Sequence, residues 1–436
     1  MNGQKNPGEE KTGIEFDGNP SDFSQHSDPV KKNKIVPISI SCIMAVLIVC
    51  FIFFVLLNTE RKGTPPPGVE PYRDNLEEDV SNDPIVDYIT IKGERYSTSL
   101  TKLELSNNGL QNEDIVSLKY MTSLMELYLD GNKISDATPL SGLTNLIMLD
   151  LSRNRISDTT SLSDLTDLTG LELAGNRIRD ITPLSGLTSL MMMNLADNQI
   201  SDISTLSGLT NMMLLKLSDN RISDITPLSG LASLTDLYLA DNQISDITPL
   251  SDLRNLSRLI LHDNQISDIT SLSGLTSLTG LDLSGNQISD ISKLSNLPIL
   301  VDLYLSDNQI SDITALSGFT NLTRLFMYNN QISDITALSG LTNLTELYLF
   351  DNQISDITAL SGLTNLTVLF MFGNQISDIT ALSSLTNLTE LFLLDNQISD
   401  ITPLSGLTNL MELDLSANQI SDWSPVAHVT NVYGRP

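Results

Sequence analysis

Chemistry in this chain would have to come from three histidines, two cysteines and a large stock of carboxylates. His26, His262 and His428 lie far apart. Cys42 and Cys50 share one apolar run, so no Cys–His pair and no cysteine-based zinc site is available outside it. A lone histidine without a neighbouring base and nucleophile makes a weak site. No HExxH motif and no Gly-rich phosphate loop occurs. Asp recurs so often that a glycosidase-like carboxylate pair is allowed by residue type, but nothing in the pattern encloses a substrate. The expectation is therefore no catalytic residue, no metal and no cofactor. The net charge of −29 sets the chain against nucleic acid and anionic lipid headgroups.

One repeating unit positions almost all of these side chains. Residues 341 to 362 read LTNLTELYLFDNQISDITALSG, and nearly the same string returns every 22 residues. The asparagine of LxLxxN falls at Asn108, at Asn132 and then in steps of 22 to Asn418, fifteen marks in all. The first step is 24, so the opening repeat carries an insertion, as terminal repeats often do. Leu347 and Leu349 alternate with Glu346, Tyr348 and Phe350, the period of a short strand. Leu341, Leu344, Ile354, Ile357 and Leu360 complete the inward set. One coil cannot bury its leucines alone, so the coils stack. Their strands pair in parallel about 4.8 Å apart, which makes a ladder on the order of 70 Å.

Within the unit, Asn352 turns inward and is expected to satisfy backbone groups left unpaired at the turn. Asp356, whose position is acidic in every repeat from Asp136 to Asp422, reads as the N-cap of a short helical or 3₁₀ turn. A calcium column is the alternative, but calcium takes six to eight oxygens and each rung offers one Asp at this place. Gly362 and its equivalents fit a tight turn. The NLT strings at Asn321, Asn343, Asn365 and Asn387 match a glycosylation sequon but fall in the repeat consensus.

The segments outside the repeats have separate readings. Residues 1–34 read as a disordered cytoplasmic tail. Residues 35–57, IVPISISCIMAVLIVCFIFFVLL, are 23 residues without a charge. As a helix they span about 34 Å, enough for a bilayer core of about 30 Å. Lys31, Lys32 and Lys34 before the run against Arg61 and Lys62 after it place the N-terminus inside. The chain is thus expected to be a single-pass protein of the cell membrane, with the repeats extracytoplasmic and the lipid bilayer contacted through residues 35–57. Residues 58–83 read as a Pro- and acid-rich stalk, 84–100 as an N-terminal cap with a short strand, 101–422 as fifteen repeats, and 423–436 as a C-terminal cap in which Trp423 plugs the open core.

The unit LTNLTELYLFDNQISDITALSG resembles the 22-residue leucine-rich repeats of the internalin family of bacterial surface proteins, over residues from about 100 to 432. That resemblance implies a leucine-rich repeat solenoid of the α/β horseshoe type, with parallel strands on the concave face and 3₁₀ or irregular turns on the convex side. It also implies a protein ligand on the concave face. The chain departs from the family in having an N-terminal apolar run as its anchor, with no LPxTG-like signal, no immunoglobulin-like or GW-type module and no helical cap. The fold carries over, and invasion of host cells does not.

The outward strand positions hold what the frame leaves free. The first nine rungs are mostly small or polar there. Then Tyr304, Phe326, Tyr328, Tyr348, Phe350, Phe370, Phe372 and Phe392 arrive together with Leu394, eight of only 22 aromatics in the chain. Half-exposed rings would make a patch of roughly 600–1000 Å², which approaches one side of a standard interface. Arg324, Glu346, Val368 and Glu390 flank it as a partly charged rim. These nine residues are read as a partner-binding site for a protein. The competing reading is that the aromatics only stack on one another to stiffen the sheet. A cell-envelope scaffold or a polysaccharide binder is the alternative function, although glycan sites set polar side chains among their aromatics.

Overall fold

The computed structural model describes residues 87–435. The proposed tail, membrane helix and stalk, and the start of the N-terminal cap, lie outside those residues. Among the described residues no helix is long and apolar enough to cross a membrane.

Sixteen three-residue strands, from Lys102–Glu104 to Asn431–Tyr433, form one parallel sheet in strict sequence order. Equivalent residues pair directly: Glu346 with Val368, Leu347 with Leu369, Tyr348 with Phe370. Opposite the sheet, short 3₁₀ turns such as Thr358–Gly362 close each coil. The result is a leucine-rich repeat solenoid with a long parallel sheet, consistent with a horseshoe. Its inward set is the expected one: Leu341, Leu344, Leu347, Leu349, Ile354, Ile357 and Leu360 are all at most 2% exposed. They belong to one apolar core that runs from Ile89 to Val429. Such a core exists only between coils, which is why a single coil has no stable fold.

Hydrogen-bond ladders tie the coils together. The Asn352 amide donates to the carbonyls of Met327 (3.0 Å), Leu349 and Phe350, and its oxygen accepts from the Ile332 N–H at 2.9 Å. The same pattern repeats from Asn132 to Asn418. Asn108 is the exception: it is exposed, because no coil lies before it to supply partners. The asparagine of the NLT strings builds a second ladder, with Asn343, Asn365 and Asn387 each donating at 2.8 Å to a threonine carbonyl one coil back. The Asp356 carboxylate accepts from the Thr358 N–H at 2.8 Å. It stands one residue before the N-cap Ile357, so it caps through an i→i+2 turn rather than from the cap position itself. All fourteen Asp residues from Asp136 to Asp422 make this bond.

The turn residue that needs special backbone freedom is not Gly362. It is the residue before the ladder asparagine. Fifteen consecutive rungs hold a left-handed φ there, including Asp351 (φ 51°), Gly373 (φ 62°) and Ala417 (φ 53°). Asp351 thus belongs to the frame of the coil. Gly362 has an ordinary φ, and the open space around several of its equivalents lets Asp164, Asp252, Asn296 and Ser384 stand in for it. Ala417→Gly is accordingly expected to raise stability by about 1 kcal/mol, because alanine bears the left-handed penalty. Gly373→Ala is expected to lower it by about 1–2 kcal/mol, since its Cβ would also collide with the Asp351 carboxylate. Gly362→Ala should be near neutral. Urea unfolding of the three variants checks the order.

The ends differ from the sequence expectation. The N-terminal cap is a hairpin, Tyr88–Ile91 paired antiparallel with Glu94–Ser97, and it buries Ile89 and Ile91 on the first coil. Lys92 at its turn donates to the carbonyls of Asn108 and Gly109. The insertion in the first repeat is taken up by a nine-residue 3₁₀ helix, Asn112–Tyr120. At the other end Asn431–Tyr433 completes a sixteenth strand, and Trp423 packs partly buried against the last coil.

Candidate functional site

Outward positions of a parallel sheet form columns, because each strand pairs in register with the next. The middle column brings Tyr304, Phe326, Tyr348, Phe370 and Phe392 into one line. Ring centroids are 4.7, 4.1, 4.9 and 4.3 Å apart down that line. The first two contacts are stacked and the third is edge-on at 65°. A second line, two residues further along each strand, stacks Tyr328, Phe350 and Phe372 at 4.2 Å. Leu394 follows Phe372 in that column and is partly buried. All nine residues singled out from the sequence therefore share one face of five rungs.

Their exposure is smaller than the sequence estimate. Phe326, Tyr348, Phe370 and Phe350 each have a ring on both sides and the four rings that end the lines have one, and none of the eight is more than partly exposed. The open area is on the order of 400 Å², the size of the largest apolar patch on an ordinary monomer. Stacking at van der Waals distance also contributes about 0.5–1.5 kcal/mol per pair to the sheet. The rings stiffen the wall and present a flat apolar edge at once.

Charge borders the aromatic lines on the column before them. Arg324 forms a bidentate pair with Asp302, at 2.7 and 2.8 Å. Next come Glu346, Val368, Glu390 and Glu412 in register. Burial pushes the Glu346 carboxyl up from the usual range, with Asp302 adding to it and Arg324 opposing. Burial also raises Glu390, with Glu412 and Glu346 adding repulsion. Burial and the same two carboxylates, Glu346 and Glu390, raise the Tyr348 hydroxyl. Beyond Arg324 the border is a line of carboxyls, Glu346, Glu390 and Glu412, interrupted by Val368.

One grouping was not foreseen. His262 has carboxylates beside it in the fold: its Nδ1 donates to that of Asp263 at 2.9 Å and lies 3.8 Å from that of Asp241. Asp241 and Asp263 occupy the left-handed turn column of adjacent coils, so the 22-residue period itself sets them side by side. Asp241 comes from the coil before that of His262 and Asp263, so the three do not form a local ligand motif in the sequence. His428 is structural: its Nε2 donates to the Leu407 carbonyl at 3.1 Å. His26 lies outside the described residues.

Comparison with known proteins follows this geometry. A family model described as "Leucine Rich repeats (2 copies)" matches residues 144–186, 214–252, 254–296, 300–340, 342–384 and 386–428. Another described as "Leucine rich repeat" matches residues 98–156. No curated protein matches the chain in sequence. Among solved structures, an internalin (inlF) from Listeria monocytogenes is 37% identical, with TM-score 0.66, over 71% of this chain and 91% of its own. The functional domain of InlJ from Listeria monocytogenes is 25% identical, with TM-score 0.65, over 77% of this chain and 73% of its own. The Arabidopsis receptor kinase HAESA, solved with a peptide hormone and a co-receptor, is 24% identical with TM-score 0.60, over 77% of this chain and 66% of its own, and shares the fold. With more than half of its residues matched by that family and the sixteen-stranded solenoid to carry them, the chain belongs to the leucine-rich repeat proteins and is structurally similar to the Listeria internalins.

Proposed function

We propose that this protein is a non-enzymatic recognition protein that captures a protein partner on the strand face of rungs ten to fourteen. The observation that supports the reading is the confinement of two stacked aromatic lines to one end of a sheet whose earlier rungs carry mostly small and polar residues, with Tyr128, Tyr238 and Ile260 as scattered exceptions. Sheet stiffening alone gives no reason for that confinement. Relatives of the internalin and receptor type act through protein–protein interaction, and the HAESA solenoid is one solved with a peptide hormone. An apolar edge beside Glu346, Glu390 and Glu412 suits a partner that offers an apolar or aromatic ridge flanked by basic side chains.

Anchoring belongs to the same proposal. The uncharged run 35–57 holds the protein in the cell membrane with the solenoid outside, where it serves adhesion or surface recognition. Protease treatment of intact cells tests the orientation, because a solenoid facing inward would survive.

The patch is tested with Phe350→Ser and Phe372→Ser together in the full-length chain. Central aromatic anchors contribute at least about 2 kcal/mol to an interface. The double variant is therefore expected to lose more than about thirtyfold in affinity for whatever the wild type captures saturably from cell-surface and envelope extracts. Its thermal unfolding should shift only slightly. Unchanged capture refutes the patch as the site. Gross unfolding of the variant instead assigns the rings to the sheet alone.

A further inference from the structure

The grouping of Asp241, His262 and Asp263 precedes the aromatic rungs, with His262 in the column that runs on to Tyr328, Phe350 and Phe372, and carries a separate reading. The three donor atoms are all within 4.8 Å of one another. Two carboxylates and an imidazole are the ligand types of zinc and its neighbours, and three protein donors with an open position is a recurrent arrangement for that ion. Bonds of about 2.0–2.1 Å in a tetrahedral site set donors about 3.3 Å apart. The observed spacings of 2.9 and 3.8 Å about His262 bracket that value. Both Asp side chains are about half exposed or more and can rotate to close the remainder, while the imidazole is held at 22% exposure.

The surroundings favour a cation. Asp197, Asp219, Asp241 and Asp263 follow one another in the turn column of four adjacent coils. No lysine or arginine is paired with Asp241 or Asp263 among the described residues. A hard cation such as calcium finds too few oxygens here, since it takes six to eight. The nitrogen donor shifts preference to the zinc class.

We propose that Asp241, His262 and Asp263 form a three-donor site for a divalent cation of the zinc class, with its open coordination position on the strand face. The site stands independently of the aromatic patch and of any partner.

Calorimetric titration of the chelator-treated full-length chain with zinc chloride, at neutral pH and physiological salt, tests it. Two substitutions copy residues that other rungs carry at the same places: His262→Ser, as at Ser284, and Asp241→Asn, as at Asn329. Both should fold like the wild type, with circular dichroism as the check. The expected result is one equivalent of zinc bound by the wild type, with affinity reduced more than about tenfold in each variant. Excess calcium should not displace the zinc. The proposal is overturned if the wild type binds no zinc, if either variant keeps wild-type affinity, or if calcium displaces the ion readily.

Discussion

Asn352→Ala is expected to destabilise the solenoid by about 3 kcal/mol. The amide oxygen of Asn352 is the partner of the Ile332 N–H, and Ile332 is fully buried. Removing it leaves that donor orphaned, which costs about 1–3 kcal/mol by itself. The carbonyls of Met327 and Leu349 fare better, because Asn330 and Asn374 also donate to them. The loss of the amide's own bonds adds the rest. Asn352→Asp should be worse, since it sets a buried negative charge against the carbonyls of Met327, Leu349 and Phe350. Coils touch only their neighbours, so the damage stays local and one joint of the stack weakens. Denaturant unfolding followed by circular dichroism and by tyrosine fluorescence should then show two transitions that no longer coincide. A single transition at the wild-type midpoint would refute the role given to the ladder.

Acid should unfold the protein more completely than any single substitution. Every Asp of the column from Asp136 to Asp422 is held below its ordinary value of 3.8. For Asp356 the cause is the Thr358 backbone N–H and then the Thr358 hydroxyl, both bonded to the ionised form. A depressed folded value means that the unfolded chain takes up protons first as pH falls. The stability from these caps is full above about pH 3.8 and is lost below it, as pH passes through the lowered folded values. Glu172, Asp241, Asp282, Glu346, Asp351 and Glu390 act in the opposite sense, because burial raises each of them. Their protonation between neutrality and the ordinary carboxylate range adds stability. Melting temperature against pH should therefore rise on mild acidification and fall steeply below about pH 3.8. A flat profile from pH 5 to pH 2 would refute the capping role of the column.

Much of this architecture is legible in one 22-residue string. Leu347 and Leu349 alternate with Tyr348 and Phe350, and that period alone fixes which face is buried. Asn352 and Asp356 act through bonds to residues at fixed offsets, either in their own coil or one period away. In a stack of identical coils the neighbour of any residue is its own equivalent 22 positions on. Long-range contacts therefore translate into sequence periodicity, and the aromatic lines could be assembled from the letters alone.

Other features depend on geometry that the letters do not carry. The left-handed turn column holds Asp, Gly, Asn, Arg and Ala in different rungs. As letters these look like a variable position; only the sharp turn after the strand gives them a common φ. Gly362 looks indispensable by its frequency, yet its backbone is ordinary. The rings of Phe350 and Phe372 are less open than isolated side chains would be, because 4.2 Å stacking covers their faces.

The sequence by itself determined the solenoid, the face of each strand, the two ladders' spacing and the clustering of aromatics at one end, because period and alternation are properties of a string. Tertiary structure alone decided how far those aromatics are exposed, the hairpin and the sixteenth strand that close the described solenoid, and how closely the side chains of Asp241, His262 and Asp263 converge. These depend on side-chain direction and on the twist and turn of one coil against the next, which fix distances of a few ångströms that no spacing of letters encodes.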